Sequence, residues 1–262
     1  MDGKTSSIDW TYFVGRNWKI STKLETPAFS DGSTPLPDRF GTLLDERAVE
    51  YPWAFQRIAA AAPQKLLDVG PALNHEFCVE ALQKDNPDRQ ITFFSLTPEA
   101  NCFYERAVSY QLGDARSLPF QSDFFDVVSC ISTLEHIGMD NRKYGGSEES
   151  DSDAFKLAIA EMRRVLKPGA PLLVTVPFGA NASDPNGRHI GFTMPMIRAC
   201  LQEFELSKST ASWFRYVDSA WRRADANQCE NASYTSENLP NSLAYAGRSI
   251  RSEAVACLEL IK

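Results

Sequence analysis

The residues best suited to acid–base chemistry in this chain are its three histidines, because the ordinary pKa of imidazole lies close to neutral pH. His75, His136 and His189 each lie just past an apolar run that predicts a strand. The carboxyl ends of neighbouring parallel strands share one edge of a sheet, so all three imidazoles could line a single crevice. No two of them have the helical spacing of metal ligands, and the pattern therefore favours a general base and predicts no metal site.

The element that must position such residues is the stretch from Lys65 to Asn74, an apolar strand that runs through Asp68 to Gly70 and a tight turn. Asn74 stands as a capping residue before apolar side chains at helical spacing, which predicts a strand–turn–helix unit. In open α/β sheets such a crevice binds cofactors. Glycine lets the backbone approach the ligand, and the N–H groups at the helix start favour an anionic group.

Composition limits the classes of function. The chain has 262 residues and 43% hydrophobic side chains, enough for a real core in one domain with decorations. Its net charge of −7 opposes nonspecific binding to nucleic acid. No apolar run has the length of a membrane span, and the N-terminus lacks the regions of a signal peptide, so we expect a soluble, cytoplasmic protein. Six scattered cysteines without a Cys-x-x-Cys pair argue against a disulfide framework or a zinc site.

Strand and helix patterns alternate along the chain, which predicts an α/β doubly wound, mostly parallel sheet that ends in an antiparallel pair. The connection between the second and third strands is so short that its helix is expected to be brief or replaced by a loop. A helix is predicted over residues 45–60, before the first strand, and is expected to be interrupted near Pro52.

Residues 1–50 are predicted to be an irregular arm. This arm could cover the site, pad the core or join a partner subunit, and in the last case the protein would be a homo-oligomer. Residues 51–262 form the main domain. The predicted strands lie at 65–69, 89–96, 108–112, 126–131, 171–176, within 204–216, and at 254–260.

Four separated segments, in this order and spacing, resemble the class I S-adenosylmethionine-dependent methyltransferases. The segments are Leu66–Gly70, Gly113–Phe120, Phe125–His136 and Met162–Gly169. The resemblance covers residues 60–180 and implies a Rossmann-like methyltransferase fold, with a seven-stranded sheet whose carboxyl edge holds S-adenosylmethionine. Residues 51–262 would then be the cofactor-binding domain and residues 1–50 its arm.

The resemblance also implies roles for single residues. Asp68 and Gly70 occupy the first motif, beside the methionine part of the cofactor, although Pro71 and Ala72 stand where further glycines are usual. The family's ribose-binding acid is replaced by Ser95, so either Ser95 contacts the ribose or Glu99, the nearest carboxylate, takes that place. Asp114 would accept from the adenine amino group, with Ala115 beside the ring, and residues 132–136 would form the floor under the methionine. Asp68 could instead only cap local N–H groups, and Asp114 could only form a turn. The predicted cofactor-binding residues are Asp68, Gly70, Pro71, Ala72, Ser95, Leu96, Glu99, Asp114, Ala115, Ser132 and Glu135.

Methyl transfer to a hydroxyl needs a base and close alignment of the reacting atoms. His189, on a polar loop where substrate would enter, is the first candidate base, with Asp184 to orient it, and His136 is the second. Substrate contacts are predicted for Arg142, Tyr144, Asp184 and Arg188. An aromatic wall of Trp213, Tyr216 and Trp221 is a further candidate, with core packing of the tryptophans as its alternative.

The leading functional hypothesis is a methyltransferase acting on a small molecule or glycan, with O-methylation of a sugar hydroxyl in glycan or natural-product biosynthesis as the expected reaction. It depends on the Ser132–Gly138 segment, which looks like methyltransferases of glycan pathways. The first alternative is N-methylation of a small amine. The second is a noncatalytic module that binds the cofactor, suggested by the missing glycines and the missing ribose acid.

Overall fold

The computed structural model describes residues 15–42, 44–142, 145–180, 183, 187–233 and 252–262. Its strands are β1 (Lys65–Val69), β2 (Gln90–Ser95), β3 (Val108–Leu112), β4 (Val127–Ile131), β5 (Pro171–Pro177), β6 (Thr210–Val217), β7 (Ala220–Ala224) and β8 (Ala254–Ile261). Within these ranges all eight strands form one sheet in the order β3-β2-β1-β4-β5-β8-β6-β7. The first five strands in that order are parallel, and the last three join antiparallel. The predicted doubly wound, mostly parallel fold is confirmed.

The described helices lie between the strands or before them. They are α1 (residues 15–21), α2 (Arg47–Ala61), α3 (Glu76–Gln83), α4 (Phe155–Val165), α5 (Met194–Gln202) and α6 (Ala226–Cys229). β2 connects to β3 without a helix through residues 96–107, as the short spacing predicts. None of the helices in the described ranges has both the length and the apolar content needed to cross a bilayer.

The sheet has one strand more than the seven that the resemblance implies. The additional strand is β7, which forms a hairpin with β6 through the two-residue turn Asp218–Ser219. Both turn residues have positive φ angles, 50° and 60°, as the tight hairpin turns that match strand twist require. Asp-Ser is a weak form of the Asn-Gly or Asp-Gly signal that marks such a turn, which explains why the sequence pattern missed this hairpin.

The central strands are buried on both faces, which is why they read as continuous apolar runs. Every residue of β4 and β5 is buried. Neighbouring residues alternate between the two faces, so Leu67 packs into the core beside α4, whereas Leu66 packs into the core beside α2. The sheet is therefore a rigid platform whose carboxyl edge can position polar side chains.

Helix α2 runs unbroken through Pro52, so the predicted interruption is wrong. Proline removes one intrahelical hydrogen bond, but nine residues of α2 are buried against the sheet and the arm, and this packing holds the helix together. The start of α2 lies at the carboxyl edge of β4 and β5, and the boundary expected after residue 50 falls inside this helix. Ile20, Phe29 and Phe40 of the preceding segment are buried in the same core as α2. That part of the arm pads the core.

Candidate active site

A cavity of about 520 Å³ opens at the carboxyl edge of the parallel strands. It is bounded by the residues that follow β1, β2, β3 and β4 and by the start of α2. Its size falls within the range of small-molecule and cofactor sites, about 300–1,000 Å³. The lining includes Glu46, Arg47, Gly70, Pro71, Ser95, Leu96, Glu99, Asp114, Ala115, Arg116, Ser132, Thr133, Glu135, His136 and Glu149.

Gly70 forms the turn that brings the backbone after β1 to the cavity wall. Its φ angle is +74°, and its N–H donates to the Phe94 carbonyl over 2.8 Å. A Cβ at this position would overlap Cγ2 and Oγ1 of Thr133 and lie 2.6 Å from its Cβ. The Thr133 hydroxyl donates to the Gly70 carbonyl over 3.1 Å. Both the conformation and the space therefore require glycine here.

Asp68 lies behind this turn and does not line the cavity. The side chain is wholly buried, accepting from the Leu73 N–H at 2.8 Å and from the Ser129 hydroxyl at 2.6 Å. Burial raises the pKa of this carboxyl to about 7, although both hydrogen bonds oppose the shift. The structure therefore places Asp68 where it fixes the turn, which is the local capping role, and not beside the cavity. Ala72 also lies outside the lining, and its carbonyl accepts from Tyr51 Oη at 2.6 Å.

The carboxylate of Glu99 is held at the end of β2 by two neighbours. Ser95 Oγ donates to one of its oxygens over 3.0 Å, and Asn74 Nδ2 donates to the other over 3.1 Å. Asn74 Nδ2 also donates to the Asn101 carbonyl, and its Oδ1 accepts from Tyr110 Oη at 3.0 Å. Ser95 and Glu99 thus work as a pair at the place where the family has an acid.

The prediction that Asn74 caps the following helix is wrong. Helix α3 begins one residue later, with His75 at the N-cap and no side-chain capping bond. The Asn74 amide is instead occupied by Glu99. The roles of Asn74 and Tyr110 in orienting that carboxylate depend on contacts between separate elements, and no local pattern in the sequence signals them.

An ion-paired triad borders the cavity beyond β3. The Arg116 guanidinium contacts Asp114 at 2.6 Å and Glu149 at 2.6 Å. Its hydrogen bonds hold the pKa of both carboxyl groups below their ordinary values. Asp114 and Ala115 line the cavity as predicted, whereas Arg116 and Glu149 are lining residues that the sequence interpretation missed. The Asp114 carboxylate is consequently ionised and fixed near the cavity.

At the other end of the cavity lies a group that we call the acid wall: Glu46, Glu50 and Glu135, with Arg47. Glu50 is wholly buried and forms an ion pair with Arg47. Its other oxygen accepts from Ser132 Oγ at 2.6 Å and from Thr175 Oγ1 at 2.8 Å. This network ties the start of α2 to the ends of β4 and β5.

Glu135 and Glu46 differ from Glu50 because each keeps a carboxylate oxygen, Oε2, without a hydrogen-bond partner among the described residues. The two side chains line the cavity and are only 4% and 8% exposed. Burial raises the pKa of Glu135 to about 8 and that of Glu46 to about 7; the negative charge of Glu50 adds to both shifts, and Arg47 opposes them. Buried polar atoms are nearly always hydrogen-bonded, so two such oxygens at one cavity wall are unusual.

The three histidines do not converge on the cavity. His136 lines it, and its Nδ1 lies 2.7 Å from the Arg188 carbonyl oxygen. His189 is only 4% exposed and lies behind His136, with 5.7 Å between ring centroids. His75 stacks on Phe77, and burial lowers its pKa to about 4. The expectation of His189 on an open substrate loop is wrong, because the chain buries this imidazole against His136.

The predicted substrate contacts are also separated from the cavity. Arg142 is 60% exposed, pairs with Asp140 and Glu148, and is not a lining residue. Arg188 is not a lining residue either, and its described contact is the carbonyl that faces His136. Tyr144 and Asp184 lie outside the described residues.

The aromatic wall proposed over β6 and β7 is not at the cavity. Trp221 is buried in the core beside α2 and donates its indole N–H to the Leu44 carbonyl. Trp213 packs against the opposite core, where its ring meets Phe178. The alternative of core packing is therefore correct for both tryptophans.

Comparison with known proteins bears on this geometry. Residues 76–174 match a family described as a methyltransferase domain. The matched stretch runs from the start of α3 into β5, so this part of the chain resembles a methyltransferase domain. A 70-residue stretch is 36% identical to norajmaline N-methyltransferase of Rauvolfia serpentina, covering 27% of this chain and 19% of that protein. The chain thus spans only about a fifth of the length of this curated relative.

Solved structures give more distant likenesses to the chain. An S-adenosylmethionine-dependent methyltransferase of Thermotoga maritima is 12% identical, with a TM-score of 0.48 over 97% of this chain and 98% of that one. The 1,6-didemethyltoxoflavin-N1-methyltransferase of Burkholderia thailandensis is 12% identical, with a TM-score of 0.47 over 100% of this chain and 93% of that one. The N-methyltransferase NodS of Bradyrhizobium japonicum is 14% identical, with a TM-score of 0.45 over 78% of this chain and 89% of that one.

The match to a methyltransferase domain implies S-adenosylmethionine as the cofactor, and the cavity fits such a group. The wall at Gly70 has no room for a Cβ, so the backbone itself is exposed to a ligand there. Acceptors for the hydroxyl and amino groups of a nucleoside are present in the fixed carboxylates of Glu99 and Asp114. The volume of about 520 Å³ accommodates an elongated molecule of this size.

Proposed function

We propose that the protein transfers the methyl group of S-adenosylmethionine to a small-molecule acceptor that enters the same cavity. The observation that carries this proposal is the continuity of one cavity from Asp114, past Gly70, to Glu135. These residues follow β3, β1 and β4, so the cavity extends along the ends of four neighbouring strands, β3-β2-β1-β4.

The order of these residues along the cavity suggests which of them would bind each part of the cofactor. Asp114 and Ala115 are the proposed adenine side, and Glu99, oriented by Ser95, is the proposed acceptor for the ribose hydroxyl groups. The two alternatives for the ribose contact thus become one arrangement, because Ser95 donates to Glu99. Gly70 and Pro71 would lie along the methionine part, with Asp68 holding their turn from behind.

The bound cofactor supplies an electrophilic methyl group on a sulfonium, and the chain must align a nucleophile with it and keep water away. Ser132, Thr133 and Glu135 form the wall where that alignment would occur. The sugar hydroxyl expected from the sequence stays a prediction, and it would need His136 as its base. In a neutral imidazole whose Nδ1–H donates to the Arg188 carbonyl, Nε2 is the basic nitrogen.

Calorimetric titration with S-adenosylmethionine and with S-adenosylhomocysteine tests the proposal at its first step. We expect both to bind in a one-to-one complex, and we expect Glu99→Ala to weaken both. An exposed substitution of the same kind, Glu203→Ala after α5, serves as the control and should leave binding unchanged. Absence of binding by the unaltered protein would refute the proposal.

Transfer of a labelled methyl group separates an enzyme from a cofactor-binding module. The acceptors offered should be small hydroxyl compounds, nucleotide sugars and amines, because these cover both the predicted sugar hydroxyl and its amine alternative. We expect incorporation of label into at least one class. Tight cofactor binding without transfer to any of them would favour the noncatalytic alternative.

A further inference from the structure

The acid wall holds more carboxyl groups than its own contacts can neutralise when they ionise. It holds three carboxyl groups, Glu46, Glu50 and Glu135, and one guanidinium, Arg47, which is paired with Glu50. Glu50 also accepts two hydroxyl hydrogen bonds, so its requirements are met. Glu46 and Glu135 are left facing the cavity, and a cation in the cavity would neutralise them.

The two carboxyl oxygens without a hydrogen-bond partner indicate which kind of ligand group the acid wall would bind. Oε2 of Glu135 and Oε2 of Glu46 are buried and have no hydrogen-bond donor within the described chain. Both can accept hydrogen bonds, and ionised carboxylates can do nothing else. An ammonium offers several N–H donors and a full positive charge, whereas a hydroxyl offers one donor and leaves the charge in place.

Strand order places the acid wall away from the proposed adenine side. Asp114 follows β3, while Glu50 contacts Thr175 on β5. Between β3 and β5 the sheet order is β3-β2-β1-β4-β5, four strand spacings, or about 19 Å at ~4.8 Å each. The wall is therefore at the end where the acceptor would meet the methyl group.

We propose that the acceptor is a small primary or secondary amine, held as its ammonium by Glu135 and Glu46; this rests on the proposed methyltransferase function. In the reaction one N–H proton of the ammonium passes to Oε2 of Glu135. The nitrogen lone pair so released forms the bond to the methyl carbon as the carbon–sulfur bond breaks, and the electron pair of that bond stays on sulfur. The product leaves as the N-methylated ammonium.

The environment of Glu135 suits this proton transfer. Burial raises the pKa of Glu135 to about 8, nearer to that of an amine than an ordinary glutamate is, and a buried base near the working pH is efficient. Among the described residues, the charges that act on it include those of Glu50 and Arg47 from α2 and Glu46 at its N-cap, and Glu135 in turn acts on the Cys130 thiol of β4. Arg47 is engaged by Glu50, so a cation would be attracted to Glu135 and Glu46.

Matched amine and alcohol pairs test the proposal directly. The protein, saturated with S-adenosylhomocysteine, is titrated with tryptamine and tryptophol, phenethylamine and 2-phenylethanol, and cyclohexylamine and cyclohexanol. Each pair differs only in the ammonium and the hydroxyl. We expect at least one amine to bind tenfold or more tightly than its alcohol, since hydrogen bonds to charged groups contribute about 1.5–3 kcal/mol. Glu135→Gln and Glu46→Gln should each weaken the amine about ten- to hundredfold and leave the alcohol and S-adenosylhomocysteine unchanged.

The controls distinguish the ways in which this could fail. Glu203→Gln, an exposed glutamate after α5, should change none of these affinities. Failure of S-adenosylhomocysteine to bind would count against the proposed function itself. If it binds, the amine proposal is overturned when no amine binds, when the alcohols bind as well as the amines, or when Glu135→Gln leaves amine binding intact. It is also overturned if that variant weakens the binding of S-adenosylmethionine or of S-adenosylhomocysteine, because the carboxylates would then serve the sulfonium or the amino group of the cofactor.

Discussion

Replacing Gly70 by alanine tests whether the turn after β1 is shaped by both conformation and space. Gly70 has a φ angle of +74°, and its added Cβ would overlap the side chain of Thr133. Gly169 has nearly the same conformation, φ +78°, but nothing lies within 4 Å of a Cβ built there. Gly169→Ala is therefore a matched control, because it places a Cβ on a backbone with a similar positive φ angle but does not crowd any neighbouring atom.

The expected magnitude has two parts. A residue with a Cβ costs about 1–2 kcal/mol in the left-handed region, which both substitutions incur. Crowding in a well-packed site adds about 1–3 kcal/mol, which only Gly70→Ala incurs. We expect Gly70→Ala to lower the free energy of unfolding by about 2–5 kcal/mol and Gly169→Ala by about 1–2 kcal/mol. For a domain of this size the first loss lowers Tm by roughly 4–20 °C.

Chemical denaturation with and without Thr133→Gly separates the two parts. Removing the Thr133 side chain relieves the overlap, so Gly70→Ala should be less harmful in that background, and the double-mutant cycle should give a coupling of about 1–3 kcal/mol. S-adenosylhomocysteine titrations should show weaker binding for Gly70→Ala and unchanged binding for Gly169→Ala. Equal destabilisation by the two alanine substitutions, with no coupling to Thr133, would refute the argument from space.

Three further predictions concern single side chains. Glu99→Gln should weaken the binding of S-adenosylhomocysteine by about tenfold, because a neutral amide accepts weaker hydrogen bonds from the ribose than a carboxylate does. Ser95→Ala should weaken this binding by less. The reverse order of the two affinities in calorimetry would contradict this prediction. His189→Ala should lower Tm, because it leaves a cavity beside His136, and thermal unfolding with no change in Tm would argue against its buried position. Glu135→Gln should flatten the pH dependence of stability between about pH 4.5 and 8, as measured by denaturant titration at several pH values, and an unchanged profile would contradict the raised pKa.

Local sequence patterns predicted the central sheet, because the burial of each strand dictates which residues that strand contains. A strand covered on both faces must be apolar throughout, as Val127–Ile131 and Pro171–Pro177 are, and the carboxyl edge then follows from connection rules. The same rules predicted that β2 and β3 would be joined by a brief helix or a loop, and the structure has a loop. They failed at Pro52 because burial of α2 outweighs the local cost of proline, and at Asn74 because a contact with Glu99 replaces the cap.

The site was predictable only where a motif marks the end of a strand. Gly70, Asp114 and Glu135 each follow a strand and do line the cavity. Glu46 is the N-cap residue of α2 and Glu50 lies in its first turn, and the hydroxyl groups that donate to Glu50 come from Ser132, after β4, and Thr175, on β5. No spacing within α2 distinguishes them from the solvated glutamates of an ordinary helix. All three histidines lie just past a strand in the sequence, but they do not all lie at the cavity. A side chain just past a strand can point into the core as readily as toward the cavity.

The pH dependence of Glu135 separates a binding role from a structural one. Its folded pKa, about 8, lies above the ordinary glutamate value, so between about pH 4.5 and 8 the folded state holds a proton that the unfolded state lacks. Stability therefore falls as pH rises through this interval, by at most about 1.4 kcal/mol per pH unit for this group. A carboxylate kept for structural pairing gives the opposite slope, as a lowered pKa would.

Glu135 lowers the free energy of unfolding of the empty protein. A ligand that binds only the folded state raises this free energy again. At pH 8 we expect Glu135→Gln to be more stable than the unaltered protein without ligand, and to gain less from an added amine. Asp68 provides the comparison within the same sheet: its pKa is also raised, to about 7, but its carboxyl oxygens are satisfied by Leu73 and Ser129. Asp68→Asn would place an N–H group against one of these two donors and should destabilise the turn whether or not an amine is present.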